Sequence, residues 1–282
     1  MNAEHVKGLI TPDKRALGIA TLFFISILGL FVVAHAAPFD YAHYQAVLNE
    51  HARPGVSIDG IVATAVDYAA LSTESKKQGS AYSNLLKAMS LFDPETLGTR
   101  EDKIAFWINL YNVAAIKTII DHYPVDSIRS RKISWSGLPW NRNVISVGGK
   151  DYSLSQVENN ILLDAFKDLR IHFGINCASV SCVNLAVAPY QGATLPGQLE
   201  EQGRRFLADE KKGLRLDRSK KIIYLSQVFK FDRKHFDQLG GGALSFILPY
   251  VRPEDREFVS KEQLIIEYLD YNWKSNDIRN AN

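Results

Sequence analysis

The stretch that decides the fold is TREDKIAFWINLYNVAAIKTIIDHYP, residues 99–124. Thr99 stands where a helix N-cap would be, acidic residues fill the first turn, and Pro124 follows the end. The positions between them are apolar nearly all round, which is typical of a helix buried on every side. The sequence therefore predicts one central, buried helix.

Shorter elements are predicted on both sides of this helix. The apolar spacing favours further helices over residues 39–52, 80–92 and 153–166. Hairpins are predicted over residues 144–154, turning at Gly148 and Gly149, and over residues 213–226. The tail reads as mostly helical, including a last short segment over residues 263–273.

These elements define the fold class. Helices and hairpins are segregated along the chain, and no Pro/Gly-rich linker divides it after residue 37. We therefore expect α+β: a largely helical single domain over residues 37–282, with a buried central helix and short antiparallel hairpins.

The N-terminus has a different character. Lys14 and Arg15 precede the charge-free run ALGIATLFFISILGLFVVAHAA, residues 16–37. Basic residues, an apolar run and then small residues are typical of a secretory signal. The run is also long enough to span a bilayer, so residues 1–36 are either a signal peptide or an N-terminal membrane anchor. Both interpretations predict export, to the periplasm or the extracytoplasmic face of the inner membrane.

Composition excludes one class of partner. The chain has 282 residues, of which 23% are charged, and a net charge of +2. So small a charge argues against a general affinity for nucleic acid. A small molecule or peptide remains the expected partner, together with possible membrane attachment through the apolar segment.

Two asparagines interrupt the apolar central helix. Asn109 and Asn112 lie three residues apart and therefore share a face. A buried amide without a partner costs about 1–3 kcal/mol, so each is expected to have a particular contact. They either fix loop backbone, or one of them orients a catalytic histidine or donates to an oxyanion.

The helix predicted over residues 153–166 carries the acidic candidate. Ser155 and Glu158 have capping-box spacing, so Glu158 can serve as a helix cap and nothing more. Alternatively, its carboxylate orients His172.

The segment IHFGINCASVSCVNL, residues 171–185, holds both cysteines of the chain, Cys177 and Cys182, together with His172. The alternation of Ile171, Phe173 and Ile175 predicts a strand, in which His172 and Cys177 would point to opposite faces unless the chain turns. Among the other histidines we expect His51 and His235 on exposed surfaces. His122 should cap the end of the central helix.

Three interpretations of the two cysteines follow. Two cysteines with one plausible histidine fall short of the ligands that a zinc site needs, so no metal or cofactor is predicted. A disulfide suits an exported protein. A nucleophilic or redox thiol is equally compatible with the sequence, which leaves the last two open.

Several blocks together resemble a known family. The segments AFWINLYN, YSLSQVENNIL, DLRIHFGINCASVSC and IIYLSQVFKFDRKHF look like the domain of unknown function 547 family, over most of the chain after the signal. The resemblance implies an exported bacterial protein, and the glutaredoxin-like modules that accompany the family elsewhere mildly favour thiol chemistry. The chain departs from the family where Asn159 replaces a common histidine and Val183 a common proline.

Two functional hypotheses follow from these residues. In the first, the protein is a thiol-dependent hydrolase or transferase. Cys177 attacks, His172 takes the proton, Glu158 or Asn109 orients the imidazole, and Asn112 or a loop amide steadies the oxyanion, with Cys182 as a resolving or structural partner. In the second, it is a non-catalytic envelope domain with a structural or binding role and a Cys177–Cys182 disulfide.

Overall fold

The computed structural model describes residues 38–281. The predicted signal peptide or anchor, residues 1–36, lies outside this part of the chain. Within residues 38–281 no helix is both long and apolar enough to cross a membrane. Helices predominate over short strands, which confirms the predicted α+β class.

The centre of the fold is the helix expected from the sequence. It runs over Arg100–Ile120, and the Asp102 backbone N–H donates to Thr99 Oγ1 over 3.0 Å at its start. From Ile104 onward every residue except Lys117 is buried. A helix buried on all sides leaves its polar residues no solvent, so each one must find a protein partner.

The other helices surround this one. In chain order the α-helices are α1 (Ala42–His51), α2 (Tyr68–Glu74), α3 (Ala81–Leu91), α4 (Arg100–Ile120), α5 (Leu195–Ala208), α6 (Val228–Phe231), α7 (Arg233–Gly240), α8 (Ala243–Ile247) and α9 (Pro253–Lys261). Both α2 and the hairpin that follows α4 pack against the central helix, whereas α5 packs against the chain around His172.

The strands form three small sheets. They are β1 (Ala52–Ile58), β2 (Ile61–Val66), β3 (Asn143–Val147), β4 (Lys150–Ser153), β5 (Leu214–Asp217), β6 (Ile222–Leu225) and β7 (Ile265–Tyr268). The pairs β1–β2, β3–β4 and β5–β6 are antiparallel hairpins, and β7 adds parallel to β6. The two hairpins predicted from the sequence are confirmed, with positive φ angles at Gly148 and Gly149 in the first turn.

Two segments form strands that were not predicted from the sequence. The β1–β2 hairpin was not predicted, although its turn residues Asp59 and Gly60, with φ of 51° and 75°, are an Asp-Gly pair typical of a hairpin. The tail segment predicted to be helical instead contains β7. The exposed edge of β6 provides backbone partners for this segment, which its local sequence does not reveal.

The strand predicted over residues 169–176 is also wrong. Leu169–Phe173 form a short 3-10 helix, which Asp168 starts by accepting the backbone N–H of Arg170 over 3.1 Å. The apolar alternation in this segment has a different origin. Ile171 and Ile175 pack into the core around α4, and Phe173 packs into a second core beneath the β5–β6–β7 sheet. The cysteine segment therefore runs along the boundary between two hydrophobic cores.

The helix predicted over residues 153–166 forms, but with a different cap. Gln156–Ala165 have π-helical hydrogen bonding. The Gln156 backbone N–H donates to Ser153 Oγ over 3.2 Å, and the Ser153 N–H donates to Gln156 Oε1 over 2.9 Å. The capping box is therefore Ser153–Gln156, two residues before the predicted pair, and Glu158 is left available for another contact.

Candidate active site

Three of the five predicted site residues, Glu158, His172 and Cys177, line one cavity of about 250 Å³. Its wall includes Glu158, His172, Cys177 and Cys182, together with Tyr111, Trp140, Ile175, Val228, Phe231, Asp232, Tyr271 and Trp273. In a straight strand His172 and Cys177 would point to opposite faces. Because the chain forms a 3-10 turn and then a loop, both side chains line the same cavity. A larger cavity of about 480 Å³ beside Phe39 and Pro189 is lined by neither cysteine nor histidine.

Cys177 lies among hydroxyl groups. Its Sγ is 3.1 Å from Ser179 Oγ and 3.4 Å from Tyr271 Oη, and these two hydroxyls are 3.0 Å apart. The pKa of Cys177 is lowered to about 7, chiefly by a hydrogen bond from the Cys182 thiol. Burial opposes this shift, and the hydroxyls of Ser179 and Tyr271 reinforce it. Cys177 is therefore substantially ionised at neutral pH.

Cys182 behaves in the opposite way. Its Sγ accepts the backbone N–H of Cys177 over 3.3 Å, and its thiol lies 3.7 Å from the Ile175 carbonyl. Its pKa is raised well above the ordinary value because of the hydrogen bond with Cys177 and because of burial. Both cysteines are buried free thiols, and Cys177 is the one whose pKa is lowered.

The turn that presents Cys177 is held in a strained conformation. Ala178 has a φ of 59°, a region that a residue with a Cβ rarely adopts. Its backbone N–H donates to Asn176 Oδ1 over 2.8 Å, and Asn176 Nδ2 donates to the Val183 carbonyl over 2.6 Å. Left-handed residues of this kind are concentrated at functional sites, where the surrounding structure enforces them.

His172 is positioned by an aspartate that sequence reasoning missed. His172 Nε2 is 2.7 Å from Asp232 Oδ2, and the imidazole stacks on Phe236 with ring centroids 5.0 Å apart. Its side chain is only 3% exposed. Within the described residues the imidazole is not hydrogen-bonded to Cys177, so the two groups are neighbours in one cavity rather than a formed ion pair.

Asp232 continues into a chain of polar groups. Its Oδ1 is 2.5 Å from His235 Nδ1, and His235 Nε2 is 3.1 Å from Asp164 Oδ1. Burial raises the pKa of Asp232, but the hydrogen bonds and charge of the two imidazoles outweigh this and lower it overall. Burial likewise lowers the pKa of His235, and the two aspartates raise it overall. His235 was expected on an exposed surface and is instead buried in this network.

Glu158 faces the cavity. The Tyr111 hydroxyl donates to its Oε2 over 2.9 Å. The pKa of Glu158 is raised, primarily by burial, although the nearby charge of His172 and the Tyr111 hydrogen bond counteract part of the shift. Glu158 is therefore near enough to His172 for the imidazole charge to affect its pKa. The hydrogen bond that orients the imidazole is made with Asp232 instead.

The two asparagines of α4 bind backbone. Asn109 Nδ2 donates to the Tyr190 carbonyl over 2.8 Å, and its Oδ1 accepts the Tyr190 N–H over 2.9 Å. Asn112 likewise donates to the Gly174 carbonyl over 2.9 Å and accepts the Asn176 N–H over 2.7 Å. Neither is among the residues that line the cavity. The structure thus places both in the loop-fixing role that the sequence left open, and Asn112 holds the loop that leads to Cys177.

The site residues that sequence reasoning missed include Asp232, Tyr271, Ser179, Trp140 and Trp273, together with Tyr111 and Phe231. Asp232 and Tyr271 are 60 and 94 residues from their respective partners His172 and Cys177. For Asp232 a weak local signal existed, since the spacing to His235 suits a hydrogen bond on one helical turn. For Tyr271 the sequence offers none.

A second polar cluster lies apart from this cavity. His51, expected to be exposed, is buried, and its Nε2 is 2.5 Å from Glu74 Oε2. Glu50 lies close enough for the three side chains to surround a metal ion. Because the contact between His51 and Glu74 already satisfies the buried ring nitrogen, the geometry is explained by this hydrogen bond.

Comparison with known families identifies the segment that carries most of this site. Residues 94–207 match the family described as "Protein of unknown function, DUF547". This segment of the chain belongs to the DUF547 family. The matched segment includes Tyr111, Glu158, His172 and both cysteines, and it ends before Asp232 and Tyr271. Comparisons with curated proteins and with solved structures found no significant match.

Proposed function

We propose that this DUF547 protein is an exported, thiol-dependent hydrolase or transferase in which Cys177 is the nucleophile and His172 the proton carrier. The observation that supports this most directly is the placement of a thiol with a pKa of about 7 in a cavity that also holds an imidazole–carboxylate pair. A depressed thiol pKa together with access to a cavity is what distinguishes a reactive cysteine from a structural one. Export is supported by the sequence of residues 14–37.

The chemistry follows from the hydrogen bonds. The Cys177 thiolate adds to the carbonyl carbon of an ester, thioester or amide, and the Tyr271 hydroxyl, which faces the cavity, is available to the developing oxyanion. The leaving group departs with the proton that His172 Nδ1 took from the Cys177 thiol, and a covalent acyl–Cys177 intermediate remains. Water or an acceptor nucleophile then attacks this intermediate, returns a proton to His172 and releases Cys177 as the thiolate.

Asp232 fixes the tautomer that this sequence of steps requires. With its Nε2–H donated to Asp232, His172 keeps Nδ1 as the nitrogen that exchanges protons with the substrate. The carboxylate also stabilises the imidazolium that forms transiently. In the proposed mechanism Asp232 therefore takes the role that the sequence assigned to Glu158 or Asn109.

A second candidate function rests on the proximity of the two thiols. The Cys177 backbone N–H donates to Cys182 Sγ over 3.3 Å, so the two cysteines are neighbours that an oxidant in the exported environment would join into a loop staple of a non-catalytic binding domain. In that case neither thiol would need to be reactive in the exported protein.

One experiment separates the two functions. The full-length chain is alkylated under native conditions across a pH series, with and without reductant, and the labelled peptides are mapped by mass spectrometry. We expect Cys177 to label without reductant with an apparent pKa of about 7, compared with about 8.5 for a free thiol. Labelling of both cysteines only after reduction would instead establish the disulfide and contradict the enzyme proposal.

A further inference from the structure

The walls of the cavity are unusually aromatic for a site of this size. Trp140 and Trp273 meet edge to face with ring centroids 5.8 Å apart, and Phe231 stacks on Trp273 at 5.6 Å. Tyr271 contacts Trp273 at 4.4 Å and Phe231 at 5.3 Å. Phe231 is 54% exposed, which places part of this cluster at the solvent-facing side of the cavity. The face of an aromatic ring carries partial negative charge and attracts cations.

Among the described residues, the ionisable groups that line the cavity are mostly acidic. They are the carboxyl groups of Glu158 and Asp232 and the thiols of Cys177 and Cys182, besides the tyrosines and the imidazole of His172. Among residues 38–281, no lysine or arginine lines this space. Around it, His235 stands behind Asp232, and Lys212 is near Cys182. Inside the cavity an anionic ligand would therefore meet two carboxyl groups, and the imidazole of His172 is already held by one of them, Asp232.

One of the rings already makes a cation–π contact. The exposed guanidinium of Arg129 lies over Trp273, 4.9 Å from the ring centroid. This contact shows that the cluster interacts with positive charge at its outer edge. Since Arg129 is not among the lining residues, the rings of Trp140, Phe231 and Tyr271 remain for a ligand within the cavity.

We propose that the cavity recognises substrates through an organic ammonium group, which lies among these aromatic rings and is balanced by the carboxylates of Glu158 and Asp232. The ammonium is the recognition group of the substrate and not its reacting atom. In naming a substrate class for Cys177 this inference rests on the proposed function, although binding itself does not require the thiol to react.

The test compares ligands of one shape and three charges. Choline, its neutral isostere 3,3-dimethylbutanol and the anion 3,3-dimethylbutanoate are titrated calorimetrically into the full-length chain in a maltoside detergent. We expect choline to bind at least about tenfold more tightly than the alcohol, which is about 1.4 kcal/mol, because only the cation is attracted to the faces of the aromatic rings. The carboxylate should bind most weakly. Equal binding of choline and the alcohol would overturn the proposal.

Matched variants locate the effect. Trp140→Leu removes a ring from the cavity wall and should abolish the preference for choline. Trp135→Leu, the same substitution in the same loop at a side chain that is 89% exposed, should leave it unchanged. A loss of preference in both variants, with thermal unfolding unchanged, would place the binding site elsewhere and contradict the proposal.

A second measurement distinguishes this proposal from the proposed function. Bound choline should lower the alkylation pKa of Cys177 by charge, whereas the alcohol should raise it by excluding water. Weak choline binding with a reactive Cys177 would overturn the ammonium proposal and leave the thiol enzyme standing. Selective choline binding with an inert Cys177 would do the reverse.

Discussion

The cavity has two walls that come from different parts of the chain and differ in what they supply. The cysteine wall, from the segment matched to the DUF547 family, consists of Tyr111, Trp140, Glu158, His172, Ile175, Cys177 and Cys182. The C-terminal wall consists of Val228, Phe231, Asp232, Tyr271 and Trp273. The first supplies the groups that would react, and the second supplies the hydroxyl, carboxylate and rings that tune and enclose them.

The two walls are also built differently. The cysteine wall is fixed by buried amides on α4, because Asn112 binds both sides of the loop that leads to Cys177. The C-terminal wall is held by backbone pairing with the same loop, in which Val180 N–H donates to the Lys274 carbonyl over 2.9 Å. A site assembled in this way needs both regions folded before Cys177 is activated. The following variants test that division of roles.

The largest effect should come from the nucleophile in the cysteine wall. Cys177→Ser should reduce turnover of an activated thioester by at least about a thousandfold, because a serine hydroxyl is not ionised at neutral pH. Cys182→Ser is the matched control and should retain turnover, since its hydroxyl still donates to Cys177. Equal losses in the two variants would indicate that the sulfur pair acts as a structural unit.

A smaller loss is expected from the carboxylate in the C-terminal wall. Asp232→Asn should lower the same turnover about a hundredfold or more, because His172 would no longer be held in the required tautomer. The apparent pKa of Cys177 alkylation should change little. Asp164→Asn, at the exposed end of the same chain of groups, serves as the control. If Asp232→Asn and Asp164→Asn have the same mild effect, the imidazole does not depend on Asp232.

The tyrosine of the C-terminal wall should act on the thiol itself. Tyr271→Phe removes a hydroxyl 3.4 Å from Cys177 Sγ and should raise the pKa of that thiol, because the thiolate loses a donor. Alkylation at pH 7 should slow several-fold and recover at pH 9. Tyr224→Phe, in a tyrosine outside the cavity, should leave the pH profile as it is. An unchanged profile in Tyr271→Phe would mean that Ser179 and Cys182 stabilise the thiolate without it.

The smallest effect concerns stability rather than turnover. The pKa of Glu158 is raised in the folded protein, so folding favours its protonated form. The protonated form contributes its full stabilisation below the pKa that Glu158 has in the unfolded chain. This stabilisation is lost as pH rises through the pKa that Glu158 has in the folded protein. Glu158→Gln keeps an acceptor for Tyr111 without the charge. Its melting temperature should therefore exceed that of the wild type by a margin that increases from pH 4 to 7. A constant difference would show that burial of the charge is not the cause.

Local signals in the sequence determined much of the secondary structure. The N-cap at Thr99, the apolar pattern of α4 and the Gly148–Gly149 turn depend on neighbours within a few residues, and all three form as expected. The Asp59–Gly60 turn and the Ser153–Gln156 capping box were equally local signals that could have been read. The grouping of His172, Cys177 and Glu158 as site candidates also came from the sequence alone, and the structure brings these three together.

Tertiary structure decided the rest. The 169–173 segment became a 3-10 turn because two cores and the amides of Asn112 hold its backbone, which outweighs its local alternation. Asp232, Tyr271 and the aromatic rings reach the cysteines across many residues of chain, and no local pattern encodes such a contact. The sequence by itself determined which groups are available for chemistry. Only the packing of the C-terminal segment against the cysteine loop decided that Tyr271 reinforces the lowered pKa of Cys177 and that Asp232 is the carboxylate that orients the histidine.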